Sequence, residues 1–382
     1  MTITMKKCSR CILPENYPGI RFNENGVCNY CLTHEKMKCY GKEGLDDFLA
    51  PFRNTTGKYD CVVGISGGRD SSYALYYLVK VCGLRALAYS ADNGFVPEVA
   101  KINMKKISDV LDVELVIEEH NFLKRYIAHN ISSWLRKPSP SMIPMICCGC
   151  RLGMFRGLLE CAKKNKIPLV VLGSGNSIED CIFKKAFFTA NPFGRRVRKN
   201  TSLSLLCGLL YEVIRNPSYF LNVINTIVYI EEYLYFFHLE KIRRLFYPNQ
   251  KILYLYRYLE WDEGEILSTI RTELNWKKDV DSASSWRSDC RVSFLKNYLL
   301  RESVGFTEKN DFLCGMIREN MITRDIALEK IKIENTLPEN LINGLIHEIG
   351  LDSSDIGSAA MRARKTYNKE QSLMMERNST DT

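Results

Sequence analysis

The residues with the clearest chemical pattern form a turn at positions 66–72, which reads Ser-Gly-Gly-Arg-Asp-Ser-Ser. The turn follows a short apolar run and leads into a stretch with apolar residues at helical spacing. Paired glycines let backbone N–H groups approach a ligand closely, and the start of a helix adds unpaired donors and a positive dipole end. The pattern therefore predicts an anion cradle for a phosphate or pyrophosphate. It matches neither the usual P-loop nor the dinucleotide-binding fingerprint.

Cysteines near the N-terminus form two Cys-x-x-Cys pairs, Cys8 with Cys11 and Cys28 with Cys31, separated by sixteen residues. This spacing is typical of a tetrahedral four-cysteine zinc site. The residues between the pairs are rich in proline and glycine and cannot bury much apolar surface, so a metal would supply the missing stabilisation. Four thiolates leave no open position on the metal. The pattern therefore predicts a structural zinc site.

A second group of cysteines precedes a predicted helix and contains Cys147 and Cys150. Thiols at the start of a helix have a lowered pKa and can bind a metal or cycle as a disulfide. Together with Cys290 they supply enough ligands for a second zinc ion or an iron–sulfur cluster. They are also compatible with plain structural cysteines beside the site, and the sequence leaves both interpretations open.

The elements that must position these residues alternate along the chain. Strands are predicted at 61–65, 85–89, 113–117 and 168–173, with helices between them. Such alternation predicts right-handed crossovers and an α/β fold with a mostly parallel sheet, in which ligands bind at the carboxyl ends of the strands. The tyrosine-rich stretch 200–260 and the C-terminal region are predicted to be helical.

Composition limits the class of protein. The chain has 382 residues, of which 46% are hydrophobic and 25% charged, as in soluble globular proteins. We found no membrane-spanning run and no secretory signal, so a cytoplasmic protein is expected, with a peripheral contact to the inner face of a membrane left open. The net charge of +9 favours acidic partners such as nucleotides, nucleotide-sugars or RNA.

The turn at 66–72 resembles the signature SGGxDS of the PP-loop ATP pyrophosphatases, which cleave ATP to AMP and pyrophosphate while adenylating a substrate oxygen. The resemblance implies a Rossmann-like ATP-binding core with Mg²⁺. It gives catalytic roles to Ser66 and Asp70. It places ATP at Ser66, Gly67, Gly68, Asp70, Ser71, Ser72, Asp92, Gly173 and Asn176. Mg²⁺ is expected at Asp70, Glu179 and Asp180, the last two in a turn after the fourth strand.

Three segments together resemble the N-acetyl sugar amidotransferase family of bacterial surface-polysaccharide and pseudaminic-acid pathways. They are the two cysteine pairs, the turn at 66–72 and the segment 285–331, which begins SWRSDCRVSFLKNYLL. The resemblance implies that a sugar acetamido group, on a nucleotide-linked sugar or a precursor, is adenylated and converted by ammonia to an acetamidino group. It also implies a separate glutaminase subunit, similar to that of histidine biosynthesis. Position 2 is Thr2, so an N-terminal cysteine nucleophile for an in-chain glutaminase is absent.

The expected organisation is a zinc-knuckle module over 1–50, an ATP-binding domain over 51–195, a helical substrate or partner region over 196–365 and a flexible tail over 366–382. A tRNA-modifying, 2-thiolating PP-loop enzyme is the main alternative, because it shares the loop, the zinc knuckles, a core Cys-x-x-Cys and a basic charge. The basic residues are not interleaved into an RNA platform, and no DNA partner is expected. A zinc-knuckle scaffold without activity is a third interpretation.

Overall fold

The computed structural model describes residues 5–176, 178, 185–187, 201–219, 221, 244–280 and 282–380. Five strands are present in this part of the chain: β1 Cys61–Gly64, β2 Ala86–Asp92, β3 Glu114–Glu119, β4 Leu169–Leu172 and β5 Lys251–Tyr254. The helices of the first half are α1 Asn29–Leu32, α2 Gly41–Leu49, α3 Arg69–Tyr76, α4 Glu98–Leu111, α5 Asn121–Arg136 and α6 Cys148–Lys164. Those of the second half are α7 Thr201–Arg215, α8 Glu263–Leu274, α9 Val292–Val304, α10 Glu308–Arg318, α11 Arg324–Glu334, α12 Glu339–Glu348 and α13 Ser353–Thr380.

The five strands form one parallel sheet in the order β3-β2-β1-β4-β5. The chain builds β1, β2 and β3 outward on one side and then returns to place β4 on the other side of β1. The strand order therefore reverses beside β1, which is where open parallel sheets bind ligands. All three interior residues Cys61, Val62 and Val63 are fully buried, as expected for a central strand covered on both faces. The predicted α/β class with a parallel sheet, an N-terminal cysteine module and a helical C-terminal region is confirmed.

Strand β5 was not predicted, because it lies in the stretch 200–260, which was expected to form packed helices. It pairs with β4 from Leu169↔Lys251 to Leu172↔Tyr254. Its four residues are too short a run to show a strand period between aromatic neighbours. The sheet therefore continues beyond residue 195, the predicted end of the ATP-binding domain.

The cysteine module packs against the C-terminal helices. Tyr17 donates a hydrogen bond from its hydroxyl to Asp311 Oδ1 at 3.1 Å, and Asn16 Nδ2 donates to the Val304 carbonyl at 2.7 Å. Arg324 Nε donates to the carbonyls of Cys8 and Cys11 at 3.3 and 3.1 Å. These contacts tie the first thirty residues to helices α9 to α11.

The C-terminal helix extends further than the sequence indicated. A flexible tail was expected from residue 366, yet α13 is helical to Thr380. Its buried side chains Ile356, Ala359, Ala360, Ala363 and Tyr367 recur every three or four residues and form one apolar stripe. Tyr367 extends the stripe into the expected tail, and its hydroxyl donates to the Asn16 carbonyl at 2.5 Å.

One helical stretch among the described residues, Pro140–Lys164, is long and apolar enough to cross a membrane by length and composition. Of its most apolar window, 56% is buried inside the protein. Core helices of soluble proteins pass the same test, so this stretch is weak evidence for a membrane span.

Candidate functional site

The glycine turn lies at the carboxyl end of β1, between that strand and α3. Gly67 has a φ of +76°, and a β-carbon at this position would lie 2.2 Å from the Ala100 carbonyl oxygen, at the start of α4. Only glycine fits both the left-handed backbone and this close approach. Trp276 Nε1 donates to the Gly67 carbonyl at 2.9 Å. The turn is therefore a fixed backbone feature at the ligand-binding edge of the sheet, as the PP-loop signature predicts.

The three serines of the turn brace it from within. Ser66 Oγ and Ser71 Oγ lie 3.0 Å apart, and Ser71 Oγ also accepts from the Ser66 backbone N–H at 3.1 Å. Ser72 is fully buried and donates to the Gly68 carbonyl at 2.6 Å. Ser66 and Ser71 stay partly accessible, so they remain candidates for phosphate contact. The Ser72 hydroxyl closes the first helical turn and has no access to solvent, and the predicted phosphate contact of Ser72 stays a prediction.

Asp70 is held in place by aromatic and cationic neighbours. Its Oδ1 accepts from Trp261 Nε1 at 2.9 Å, and Arg69 Nε lies 3.3 Å from the same oxygen. Tyr256 donates its hydroxyl to the Asp70 carbonyl at 3.1 Å. The carboxylate keeps 16% of its side-chain surface exposed, so one edge remains open for a ligand.

Arg69, the variable position of the signature, was not predicted to matter. Its guanidinium is almost completely buried over the rings of Trp261 and Phe312, at 4.9 and 5.7 Å from their centroids. It pairs with Glu263, and Lys330 pairs with the second oxygen of that carboxylate at 2.8 Å. Burial raises the pKa of Glu263, but the two cations lower it more strongly, and the pKa lies below the ordinary value. These partners come from distant segments, which no local pattern in the sequence could reveal.

The segment after β4 packs directly against the glycine turn. A β-carbon on Gly173 would lie 2.7 Å from the Asp70 carbonyl oxygen, so glycine is required for this approach. Asn176 is buried three residues later, near the same edge of the sheet. The predicted Mg²⁺ ligands Glu179 and Asp180 lie outside the described residues. Of the three residues proposed for Mg²⁺, the structure therefore positions Asp70.

Asp92, at the end of β2, stabilises the turn that follows this strand. Its Oδ1 accepts from the Gly94 backbone N–H at 2.8 Å, and Lys101 Nζ lies 2.5 Å from Oδ2. The hydrogen bond to Asp92 raises the pKa of Lys101. Only 9% of the Asp92 side chain is exposed. Asp92 thus shapes the loop that follows β2, and its carboxylate is already paired with Lys101.

The second cysteine group converges beside this loop. Asn93 Nδ2 donates to Cys150 Sγ at 3.0 Å and to Cys290 Sγ at 3.7 Å. Burial raises the pKa of the Cys150 thiol, and it raises that of Cys290 to about 11. Cys147 lies near the buried Lys296, which pairs with Glu308 at 2.9 Å. The structure therefore places Cys147 and Cys150 near Cys290, which lies far along the sequence, although the three sulfur atoms do not all come within 4.8 Å of one another.

The four N-terminal cysteines come together as the sequence predicted. Their sulfur atoms all lie within 4.8 Å of one another, and in the described part of the chain no other set of three or more His, Cys, Asp or Glu side chains does so. Cys11 Sγ and Cys28 Sγ are 3.8 Å apart, which is about the separation that tetrahedral Zn–S bonds of about 2.3 Å require.

Electrostatics also supports a cation at this site. All four sulfurs are buried. Hydrogen bonding to Cys11 lowers the pKa of Cys8 to about 6, and hydrogen bonds to Cys11 and Cys28 lower the pKa of Cys31 to about 5. Hydrogen bonds with Cys28 and Cys31 raise the pKa of Cys11. Four thiolates at this spacing repel one another, so they need a divalent ion to be ionised together. The residues therefore fit zinc as a structural ion.

Comparisons with known proteins do not establish a family for the chain. The chain matches no protein-family model. It is 30% identical over 124 residues to the uncharacterized protein MJ1599 of Methanocaldococcus jannaschii, a match that covers 30% of this chain and 43% of that protein. The chain thus spans less than half the length of this curated relative.

Among solved structures, the chain is similar to the U34-tRNA thiolase NcsA of Methanococcus maripaludis, which was solved with its 4Fe-4S cluster. The match covers 92% of this chain and 96% of the thiolase, with 14% identity and a TM-score of 0.32. At that TM-score the likeness carries no argument about function. The site description rests on the residues above.

Proposed function

We propose that this protein is an ATP-dependent, AMP-forming enzyme that activates a carbonyl oxygen of its substrate by adenylation. The observation that carries the proposal is the turn at Gly67 and Gly68, whose backbone stands at the carboxyl end of β1 where the strand order reverses. A fixed array of backbone donors at a helix start binds the pyrophosphate part of a nucleotide without a lysine.

The amide oxygen of the substrate is a poor leaving group, and adenylation converts it into a good one. The substrate carbonyl oxygen attacks the α-phosphorus of ATP, and the bond to pyrophosphate breaks. A nucleophile then adds to the activated carbon, and AMP leaves with the former carbonyl oxygen. The protein aligns the reactants and stabilises charge on the departing pyrophosphate, and it needs no covalent nucleophile of its own. Mg²⁺ held at Asp70 supplies charge neutralisation when bound.

Two acceptors fit this chemistry, and each has its own support. An N-acetyl sugar, amidated by ammonia to an acetamidino sugar, is supported by the resemblance of the cysteine pairs, the loop and the C-terminal segment to the sugar amidotransferases. In that case a separate glutaminase subunit supplies the ammonia and the substrate is a nucleotide-sugar or its precursor.

A tRNA base, thiolated by a sulfur donor, is the second candidate. The observation that favours it is that Cys147, Cys150 and Cys290 lie near one another beside the loop after β2, where Asn93 donates to two of them. Some thiolating PP-loop enzymes carry a core cluster of this kind, whereas amidation requires no such group. In the described structure, this feature favours thiolation over amidation.

ATP–pyrophosphate exchange tests the proposed function and separates the two acceptors. The purified chain is assayed with UDP- and CMP-linked N-acetyl sugars, with and without ammonium, and with tRNA and sulfide. Exchange that depends on one class of acceptor identifies it. Asp70→Asn is expected to abolish exchange, whereas Asp109→Asn, the same change at an exposed position on α4, is expected to retain it. No exchange with any acceptor would contradict the proposal.

The cysteines provide a second discrimination. Cys150→Ser removes one thiol of this group and leaves the glycine turn at 66–72 untouched. Thiolation depends on that group, so exchange with tRNA is expected to continue while no thiolated product forms. Amidation of a sugar is expected to continue at a similar rate in the same variant. Iron and zinc analysis of the wild-type chain shows whether metal is bound beyond the N-terminal site.

A further inference from the structure

Asp289 is an acidic residue next to the glycine turn at 66–72, and no sequence pattern singled it out. It lies in the turn before α9 and directly precedes Cys290. A β-carbon placed on Gly68 would lie 2.9 Å from Asp289 Oδ2 and 3.3 Å from Ser66 Oγ. The carboxylate therefore touches the glycine turn from the side on which Ser66 also presents its hydroxyl.

Most carboxylates around the loop are paired, and Asp289 differs from them. Asp70 accepts from Trp261, and Asp92 pairs with Lys101. Among the residues that the structure describes, no hydrogen bond or ion pair engages the Asp289 carboxylate, and the residue is only half-buried. A half-buried carboxylate without a partner is available to a ligand that enters the site.

The position of Asp289 conflicts with binding of a bare anion. A pyrophosphate in the cradle would bring its negative oxygens close to this carboxylate, and the repulsion in a partly dehydrated site would be strong. A divalent cation between them turns repulsion into attraction. Mg²⁺ commonly binds through one or two carboxylates together with substrate phosphates, and it keeps several waters.

We propose that Asp289 is a ligand of the divalent cation that enters with the nucleotide triphosphate. The proposal rests on the proposed function, because the cation arrives with ATP. It places the cation at the face of the turn formed by Gly68 and Ser66, between the pyrophosphate cradle and the cysteine group around Cys290. The segment that carries Asp289 thus contributes to both parts of the site.

The test measures binding, with Mn²⁺ as the probe of the cation and α,β-methylene-ATP as a nucleotide that is not cleaved. Electron paramagnetic resonance gives the affinity of Mn²⁺ for the complex of the full chain with this nucleotide. Titration in EDTA gives the affinity for the nucleotide without metal. The variants are Asp289→Asn, which keeps the shape, Asp289→Glu, which keeps the charge, and Asp109→Asn as the matched control on the surface of α4.

The two affinities are expected to respond differently to loss of the Asp289 charge. Asp289→Asn weakens Mn²⁺ binding by at least about tenfold, the range seen when groups that support a metal are removed, and leaves nucleotide binding in EDTA unchanged or tighter because the repulsion is gone. Asp289→Glu retains Mn²⁺ binding within about threefold, and Asp109→Asn behaves as wild type.

Each contrary outcome has a distinct meaning. Unchanged Mn²⁺ affinity in Asp289→Asn overturns the proposal and leaves the proposed function standing. Weaker nucleotide binding in EDTA also overturns it, because the carboxylate would then be a structural support of the loop. If the wild-type chain binds no α,β-methylene-ATP under either condition, the proposed function fails together with this proposal.

Discussion

Substitution of Gly67 by alanine separates the role of the glycine turn from the general cost of a side chain at a left-handed position. Gly67 and Gly83 have similar φ values, +76° and +68°. Alanine at either residue adopts this backbone at a cost of roughly 1–2 kcal/mol. They differ in space: a β-carbon on Gly67 would meet the Ala100 carbonyl at 2.2 Å, whereas one on Gly83 would meet no atom within 4 Å.

The difference sets the size of the effect. To reach ordinary contact at 3.4 Å, the turn and the start of α4 must separate by more than an ångström in Gly67→Ala. A shift of this size removes at least one backbone hydrogen bond to a phosphate, which contributes about 1.5–3 kcal/mol when the acceptor is charged. Nucleotide affinity is therefore expected to fall on the order of 10- to 100-fold.

The assay measures unfolding by urea and binding of α,β-methylene-ATP for both variants. Gly83→Ala is expected to lose roughly 1–2 kcal/mol of stability and to bind nucleotide like the wild type. Gly67→Ala is expected to lose at least as much stability and most of its nucleotide affinity. Equal nucleotide affinities in the two folded variants would refute the reasoning, because the cradle would then not depend on the position of the Gly67 backbone.

Two further predictions concern the metal and a buried charge. Cys28→Ser is expected to lose bound zinc, which elemental analysis measures, and to lower the melting temperature by many degrees because the N-terminal module has little apolar core of its own. Cys39→Ser, which lies outside the four-sulfur set, is expected to retain the zinc and the melting temperature of the wild type. Burial lowers the pKa of Lys309 from 10.5 to about 8. The unfolded chain therefore binds more protons than the folded one between pH 8 and 10.5, and stability from this group rises with pH across that window. Below about pH 8 the buried charge costs on the order of 3 kcal/mol. Lys309→Met is therefore expected to raise the midpoint of urea unfolding at pH 7 and to lose this advantage near pH 10.5. A gain in stability that does not shrink as the pH rises would contradict the assignment.

Local patterns predicted much of the fold. The apolar runs of four strands and the glycine turn after the first were visible because each signal lies within a few consecutive residues. The cysteine pairs were visible for the same reason, since ligand spacing in a zinc knuckle is local. Strand β5 was missed, because four residues between aromatic neighbours show no period and are recognised only by their pairing with β4.

The partners of the loop could not be predicted, because they come from remote segments. Arg69 meets Glu263, nearly two hundred residues later, and Asp289 reaches Gly68 from a turn still farther along the chain. No periodicity relates such residues. Cys150 and Cys290 both accept from the side chain of Asn93, which is a proximity that the metal interpretation of the sequence expected. Binding of a second metal by these cysteines stays a prediction.

Helix α10 lies between the cysteine module and the glycine turn at 66–72 and contacts both. One of its faces carries Asp311, which accepts from Tyr17 of the cysteine module. The adjacent Phe312 stacks on Trp286 at 4.8 Å and lies against the guanidinium of Arg69. Every residue of the helix is buried, so it cannot move without disturbing both neighbours. Loss of the metal that loosens the module should therefore loosen the support of Arg69 as well, and nucleotide affinity should fall in Cys28→Ser even while the sheet stays folded.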